Sequence, residues 1–399
     1  MESNRRDFFK NAAIFSAPLF VPRSAFGAND RISYGVIATG GRGRYLNRHF
    51  QAVGAQCAAL CDVYEPNLEA AKKESPEGVK TYLDYHELLE QPGLDAVVLA
   101  GPDHHHCPML LAAIKAKKDV YAEKPLSYSL EDSKRMIDGV KSSDRIVQIG
   151  MQRRSSPAVM RAKRLLDDGV IGKVYQVRPQ WDWNVAKPLD NSELPGKIDW
   201  DRFLGTAPKR ALEPMRFRAW RQFYDYAGGN MTDQGTHLMD VTQWFLESGP
   251  PKSAIMNGIN AKTVCAEQPD VLTAVFEFPQ HLVTWQLNYT NSFENGWRIT
   301  LLGDRGTMIL EEGGWRVYSE PWKQDAPATF QELSVGPEGG LTGTGAVRAH
   351  IRNLLDCMKT RSQPHCTVET AAQAVAGPHL ANLAMKHGRK YTYEEAVRA

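Results

Sequence analysis

The chain has 399 residues, of which 42% are apolar and 24% charged, and its formal net charge is +2. This length favours a large buried core and more than one domain. The small net charge, without a basic stripe interleaved with aromatic residues, argues against nucleic acid as a partner. No apolar run reaches the roughly 18 residues that a membrane helix needs, so we expect no stable membrane insertion.

The first 30 residues have the pattern of an export signal. "SNRRDFFK" places Arg5 and Arg6 ahead of an apolar run at 12–21, and small residues recur within 25–28. A charged segment, an apolar segment and a small-residue cleavage region are typical of signal peptides, and the arginine pair resembles the twin-arginine motif. We predict that residues 1–30 are this signal, that the twin-arginine translocation machinery is a partner, and that the protein is periplasmic or otherwise exported. A disordered basic tail is the alternative.

A nucleotide-binding pattern begins at residue 31. "RISYGVIATGGRGRYLNRHF" predicts a buried strand, a glycine-rich turn and a helix, and the spacing G-x-G-x-x-G falls on Ala38, Gly40 and Gly43. Such a turn needs tight backbone geometry, close approach of a diphosphate and close helix–strand packing. Alanine in the first place is a mild departure, provided that its φ is negative. We expect Gly41 and the helix N-terminus to face the diphosphate.

The next segment favours NAD over NADP. "QCAALCDV" predicts a strand that ends at Asp62, about 20 residues after the last glycine. A carboxylate at this place hydrogen-bonds the ribose hydroxyls and repels a 2′-phosphate; a helix cap or turn residue is the alternative. Arg42, beside the turn, is predicted to contact a phosphate or to stack on adenine, with a solvated side chain equally open.

Strands and helices then alternate to residue 150. "LDAVVLAGP", "DVYAEKPL" and "RIVQIGM" predict strands, and "CPMLLAAIKAKK" and "SLEDSKRMIDGVKSS" predict helices. Continuous apolar strands that alternate with amphipathic helices are typical of a doubly wound parallel sheet. We therefore predict an α/β Rossmann domain that binds NAD over 31–150.

The pattern changes at residue 151. Segments such as "LTAVFEFP", "HLVTWQLNY" and "WRITLLGDRGTMILEE" predict strands joined by short turns. We predict an α+β domain over 151–399 with a mostly antiparallel open sheet. Residues 345–358 and 367–387 are predicted as helices, 323–343 as a loop, and "HGRKYTYEEA" as a tail.

Three motifs in order resemble the Gfo/Idh/MocA oxidoreductases, which include glucose–fructose oxidoreductase and inositol dehydrogenase. They are "PDHHH" at 102–106, "EKP" at 123–125 and "GGNMTDQGTHLMD" at 228–240, and the resemblance extends from residue 31 to the end. It implies hydride transfer with a nicotinamide cofactor, a sugar or polyol substrate, and a homo-oligomer. It also places four residues beside the cofactor: Pro102, His106, Glu123 and Lys124.

The chemistry of these residues suits dehydrogenation even without the family resemblance. Asp233, His237 and Asp240 have the spacing of one helix face, so a carboxylate is expected to orient the imidazole and stabilise its charged form for general base catalysis. Lys124, at a strand end, is expected to polarise the reacting oxygen. Lys124, Asp233 and His237 are therefore the predicted catalytic residues. A structural histidine, and a surface lysine paired with Glu123, are the alternatives.

Substrate contacts are predicted from the start of the second half. Trp181 is expected to stack on a sugar ring, with Arg153 and Arg218 hydrogen-bonding hydroxyls beside Asp233 and His237; ordinary core packing is the alternative. The histidines at 104–106 point in different directions and lack an accompanying set of acids or cysteines. We predict no metal site.

Export and cofactor use together constrain the reaction. Because no nucleotide pool exists outside the cytoplasm, we expect the nucleotide to be tightly held and recycled internally while hydride moves at a secondary alcohol of a sugar or polyol. One alternative is an NAD-dependent glycosidase that oxidises C3 transiently, eliminates, adds water and reduces again. Another is a sugar sensor without turnover.

Overall fold

The computed structural model describes residues 31–333, 341 and 343–398. The predicted export signal lies outside the described residues. Within them, no helix has both the length and the apolar character required to cross a bilayer.

The first sheet is parallel and six-stranded within the described residues. Its strands are β1 (Ser33–Ile37), β2 (Gln56–Cys61), β3 (Lys80–Tyr82), β4 (Ala96–Leu99), β5 (Asp119–Ala122) and β6 (Val147–Ile149). Their spatial order is β3-β2-β1-β4-β5-β6. Successive strands are added toward one edge up to β3 and toward the other edge from β4, so the strand order reverses between β1 and β4. Ligands of such sheets bind at this reversal, beyond the carboxyl ends of the strands. The predicted doubly wound sheet is confirmed.

Helices cover both faces of this sheet. They are α1 (Gly41–Ala52), α2 (Glu65–Lys73), α3 (Tyr85–Leu89), α4 (Asp103–Lys115) and α5 (Leu130–Lys141). Phe50 of α1 shares a core cluster with Val98, whereas Leu110 of α4 and Met136 of α5 share the opposite cluster with Val97. Both sides of β4 are therefore buried, which explains its uninterrupted apolar sequence.

The second sheet has nine strands within the described residues. They are β7 (Val174–Asp182), β8 (Ser253–Ile259), β9 (Val271–Glu277), β10 (Leu282–Asn288), β11 (Gly296–Gly303), β12 (Gly306–Glu311), β13 (Gly314–Ser319), β14 (Phe330–Leu333) and β15 (Tyr391–Thr392). Their order is β14-β13-β12-β11-β7-β10-β9-β8-β15, and only β7 and β10 run parallel. The prediction of a mostly antiparallel sheet is confirmed.

Helices of the second half join the two sheets. They are α6 (Pro157–Asp167), α7 (Trp200–Leu204), α8 (Pro214–Arg218), α9 (Gly229–Asp233), α10 (Gly235–Leu246), α11 (Thr344–Thr360), α12 (Val368–His387) and α13 (Tyr393–Arg398). α6, α10 and the end of α12 pack on the nine-stranded sheet. Ile351 of α11 and Val375 of α12 instead belong to the core of the first sheet. These C-terminal helices were predicted to within a few residues.

Two predictions about short segments are wrong. β14 lies within 323–343, which was predicted as a loop, and the predicted tail contains β15 and the first residues of α13. β15 pairs with β8, far away in the sequence, over two residues only. Strands this short have too few residues to show periodicity.

Candidate active site

The glycine turn after β1 has the geometry that a bound diphosphate needs. A Cβ on Gly43 would lie 2.0 Å from the backbone oxygen of Ala38, so only glycine allows α1 to pack this closely on the turn. A Cβ on Gly41 would meet no heavy atom within 4 Å. No side chain caps the start of α1 at Gly40. The first backbone N–H groups of α1 are therefore available to an anion.

The backbone conformation of Ala38 differs from the one expected from the sequence. Its φ is 68°, in the left-handed region, so the condition of a negative φ is not met. An L-residue in this region costs roughly 1–2 kcal/mol. The turn is held on both sides, because Ala38 N–H donates to the Cys61 carbonyl at 2.8 Å and Thr39 N–H donates to Asp62 Oδ2 at 2.7 Å.

Asp62 both organises the turn and faces a cavity. Its Oδ2 accepts from Thr39 and, at 3.4 Å, from Asn67, while its Oδ1 accepts from Tyr64 N–H at 2.9 Å. A carboxylate has about four acceptor positions, so Oδ1 retains one for a ligand hydroxyl. Burial raises the pKa of Asp62 to about 6, against the opposing effect of these hydrogen bonds.

Two adjacent cavities extend from the glycine turn to residues of the second half of the chain. A cavity of about 540 Å³ is lined by the turn and by Asp62, and a cavity of about 340 Å³ is lined by Lys124 and His237. The two cavities share three lining residues: Ala100, Trp220 and Arg221. An elongated ligand can therefore contact the turn at one end and the Lys124 cavity at the other.

Lys124 and Asp233 form an ion pair across the cleft. Lys124 follows β5, and its Nζ donates to Asp233 Oδ1 at 2.5 Å and to the Asp233 carbonyl at 2.9 Å. Arg221 Nε donates to the same Oδ1 at 3.2 Å. Burial alone would raise the pKa of Asp233, but the charges of Lys124 and Arg221 hold it well below its usual range. An ionised Asp233 therefore fixes the position of the lysine.

The expectation that a carboxylate orients His237 is wrong. α9 ends at Asp233 and α10 begins at Gly235, so the motif does not form one uninterrupted helix. Among the described residues, Asp233 bonds to cations on the Lys124 side, and Asp240 pairs with Arg154 Nε at 2.8 Å. Full positive charges attract these carboxylates more strongly than a neutral imidazole does.

His237 is half-buried in the Lys124 cavity. Its ring centroid lies 6.4 Å from that of Trp181. Burial, together with the charges of Arg153, Lys124 and Arg42, lowers the pKa of His237 well below its usual value. The imidazole is therefore neutral at neutral pH and can accept a proton from a ligand.

Half-buried Arg42 and buried Glu123 form a second ion pair on the wall of this cavity. Arg42 Nε donates to Glu123 Oε1 at 2.8 Å, and its guanidinium lies 5.0 Å from the Tyr45 ring. Burial would lower the pKa of Arg42, but Glu123 raises it. This pairing excludes the Lys124–Glu123 surface pair. It also places Arg42 in the Lys124 cavity rather than beside Asp62, so its contact with a phosphate stays a prediction.

The structure does not bring two of the predicted residues into the Lys124 cavity. His106 is 1% exposed and lines neither cavity, because its ring nitrogens face the carbonyls of Pro125 at 2.7 Å and Gly101 at 2.9 Å. It therefore supports the turn that carries Lys124. Arg218 lines the Asp62 cavity instead and donates to the Glu193 carbonyl at 2.9 Å.

The other predicted residues lie along the cleft. Pro102 lines the Asp62 cavity, while Arg153 and Trp181 line the Lys124 cavity. His104 and His105 both bond to the Phe203 carbonyl. The described residues contain no group of three or more His, Cys, Asp or Glu side chains arranged for a metal ion.

Arg221 and Trp297 are among the lining residues that were missed from the sequence. Arg221 directly follows Trp220, and Tyr224 and Tyr226 come shortly after it, so its position among closely spaced aromatic residues was a usable signal. Trp297 on β11 lies opposite Trp181 on β7. No sequence signal could have found this neighbour, because the strand pairing joins residues far apart in the chain.

Comparison with known proteins agrees with this arrangement. Residues 32–151 match the GFO_IDH_MocA family model, described as "Oxidoreductase family, NAD-binding Rossmann fold". Residues 163–393 match the GFO_IDH_MocA_C model, "Oxidoreductase family, C-terminal alpha/beta domain". Together these matches cover most of the chain.

Individual relatives are similar over shorter stretches or at lower identity. The chain is 38% identical over 144 residues to myo-inositol 2-dehydrogenase of Thermotoga maritima, which is 36% of this chain and 42% of that protein. It is 38% identical over 121 residues to scyllo-inositol 2-dehydrogenase (NAD(+)) of Bacillus subtilis, 30% and 35% of the two chains. The alignments thus span less than half of these relatives. A solved levoglucosan dehydrogenase in complex with NADH has a TM-score of 0.71 at 17% identity, covering 91% of this chain and 99% of that one, and shows the shared fold.

Proposed function

Because the chain belongs to the GFO_IDH_MocA oxidoreductase family, we propose that it oxidises a secondary alcohol of a sugar or polyol with NAD as the hydride acceptor. The observation that carries the proposal is the meeting of Lys124 and His237 in one cavity that adjoins the cavity of the glycine turn. The similarity to inositol dehydrogenases supports a polyol or sugar as substrate.

The residues of the cleft fit NAD. The open N-terminus of α1 and the space beside Gly41 would hold the diphosphate. The remaining acceptor position of Asp62 would bind a ribose hydroxyl, and its charge would repel a 2′-phosphate, which favours NAD over NADP. When bound, NAD supplies the hydride acceptor.

The side chains of this protein supply proton transfer and orientation. Neutral His237 accepts the hydroxyl proton of the substrate. Lys124 Nζ has three donors, of which two bond to Asp233, so the third is available to the reacting oxygen and would stabilise its developing negative charge. Asp233 acts through Lys124 rather than through His237.

Cellular context forms a further part of the proposal. We infer twin-arginine export to the periplasm from the pattern in residues 1–30, and with it a nucleotide that stays bound and is recycled within each turnover. We also propose a homo-oligomer. The shared cavity of Lys124 and His237 favours turnover over a sugar sensor, and nothing in the described residues specifically favours the glycosidase.

The dehydrogenase proposal is tested by reduction of the enzyme-bound nucleotide, read as NADH absorbance when each candidate substrate is supplied alone, because a recycled nucleotide gives no net release of NADH. The full chain is incubated with NAD and a panel of inositols, aldoses and sugar acids, and the nucleotide released by denaturation is measured in parallel. Lys124→Met and His237→Gln are each expected to lower kcat at least about 100-fold while NAD binding is retained. Lys134→Met, on the exposed face of α5, is the matched control and should leave kcat unchanged. Full activity of Lys124→Met, or no reduction of NAD by any compound, would refute the proposal.

A further inference from the structure

Arg153 is a buried cation without an anionic partner. It lies in the 3₁₀ turn Gln152–Ser155 and is 4% exposed. Among the described residues, no carboxylate lies within 4.0 Å of its guanidinium, and its buried Nε has no hydrogen-bond partner. The next residue, Arg154, shows the contrast, because it is paired with Asp240. A buried charge is costly unless it is paired and hydrogen-bonded.

Two tryptophans form the immediate surroundings of this guanidinium. Its central carbon lies 4.5 Å from the Trp297 ring and 5.4 Å from the Trp181 ring, and these two residues are cross-strand neighbours on β11 and β7. Cation–π contact compensates only part of the lost hydration. Burial lowers the pKa of Arg153 to about 10, so the side chain remains charged at neutral pH.

The other charges that line the cavity are engaged elsewhere. Arg42 is paired with Glu123, and Asp233 binds both Lys124 and Arg221. The remaining acid, Glu312, accepts a hydrogen bond from Trp297 Nε1 at 2.5 Å and forms no ion pair within 4.0 Å with Arg153, although its charge raises the pKa of Arg153 against the effect of burial. Among the described lining residues, no carboxylate forms a direct ion pair with Arg153, so its guanidinium can bind an anionic ligand.

We infer that the substrate carries a carboxylate that Arg153 binds, so that it is a sugar acid (a uronate or an aldonate) rather than a neutral polyol. This inference rests on the proposed function, because it takes the Lys124 cavity as the substrate site. A planar guanidinium binds a carboxylate through two parallel hydrogen bonds. Hydroxyl groups alone would leave the buried charge uncompensated.

The position of Arg153 links this recognition to the reaction. It lines the same cavity of about 340 Å³ as Lys124 and His237, so a carboxylate held there keeps the remainder of a monosaccharide beside both. After burial, the charge of Arg153 is the largest cause of the lowered pKa of His237. A bound carboxylate offsets this charge and therefore strengthens the base when the correct substrate is present.

Binding to the full chain in the presence of NADH tests the inference without turnover. Tryptophan fluorescence and calorimetry are used with sodium D-glucuronate, sodium D-gluconate, D-glucose and D-glucose 6-phosphate as probes. At least one of the two sugar acids should bind about 10- to 100-fold more tightly than glucose, and added NaCl should weaken its binding but not that of glucose. Arg153→Gln should remove this preference, whereas Arg153→Lys should retain part of it.

The control is Arg178→Gln, which removes an exposed arginine on the outer face of β7 and should leave the preference unchanged. The inference is overturned if neither sugar acid binds more tightly than glucose, if glucose 6-phosphate binds best, or if Arg153→Gln keeps the preference. If Arg153→Gln does not fold, the effect of NaCl on ligand binding to the wild-type protein is the test. Binding of the sugar acids that NaCl does not weaken would then overturn the inference. Tight binding of a sugar acid without NADH formation in the turnover assay would instead refute the dehydrogenase proposal and leave this ligand class standing.

Discussion

Replacement of Gly43 by alanine tests the packing of the glycine turn quantitatively. The new Cβ would lie 2.0 Å from the Ala38 oxygen, whereas carbon–oxygen contacts need roughly 3.3–3.5 Å, so the turn or α1 must move by more than about 1 Å. Overpacking of this kind costs about 1–3 kcal/mol, and the upper part of the range applies because the contacted atom belongs to the backbone. Alanine regains up to about 1 kcal/mol of helix propensity. We expect a net loss of about 1–2 kcal/mol.

Gly41→Ala provides the matched control in the same helix. Its Cβ would meet no heavy atom within 4 Å, so the nucleotide-free variant should be as stable as the wild type or up to about 1 kcal/mol more stable. The free energy of unfolding is measured for both variants by urea denaturation without nucleotide, and NAD affinity is measured by calorimetry. Gly43→Ala should also bind NAD more weakly, because the displaced turn carries the phosphate-facing N–H groups. Equal stability of the two variants would refute this description of the turn.

Three further predictions concern the same cleft. Because an ionised Asp62 carboxylate accepts a ribose hydrogen bond more strongly than its protonated form does, NAD affinity should rise as pH increases through about 6. The stability of the nucleotide-free protein relative to Asp62→Asn should fall as pH rises from about 4 to 6, because the folded carboxyl keeps its proton in this range while the unfolded one loses it. A difference in the free energy of unfolding between the two proteins that does not change with pH would contradict this. Ala38→Gly should relieve the left-handed strain and raise the free energy of unfolding by up to about 1 kcal/mol, and a loss in urea denaturation would show that the methyl group is needed. Asp233→Asn should lower kcat about 100-fold by releasing Lys124, with a shifted pH profile; an unchanged profile would assign Asp233 a structural role only.

Local pattern was sufficient for the architecture and for the approximate position of the site. The parallel first sheet follows from alternating strands and helices, and the rule that ligands bind beyond strand ends agrees with the position of Lys124, which follows β5 and lines a cavity. Gly43 was assigned its packing role because the fingerprint describes a local contact within about five residues. Such features depend on neighbours in the sequence.

Features that depend on distant partners could not be predicted. The spacing of Asp233 and His237 indicated proximity, but the carboxylate bonds to Lys124, which comes from the other half of the chain. The His106 side chain points away from both cavities because its two ring nitrogens face two backbone carbonyls, those of Pro125 and Gly101. The backbone angle of Ala38 is likewise imposed by hydrogen bonds to β2 and Asp62 rather than by its own residue type.

Isotope transfer tests the central claim most directly. The full chain with NAD is mixed with inositols, aldoses and sugar acids that carry deuterium on carbon, and the recovered nucleotide is analysed by mass spectrometry. We predict that a substrate delivers deuterium from carbon to the nicotinamide ring, and that Lys124→Met loses this transfer while still binding NAD. Absence of deuterium in the nucleotide with every compound, or undiminished transfer by Lys124→Met, would contradict the account.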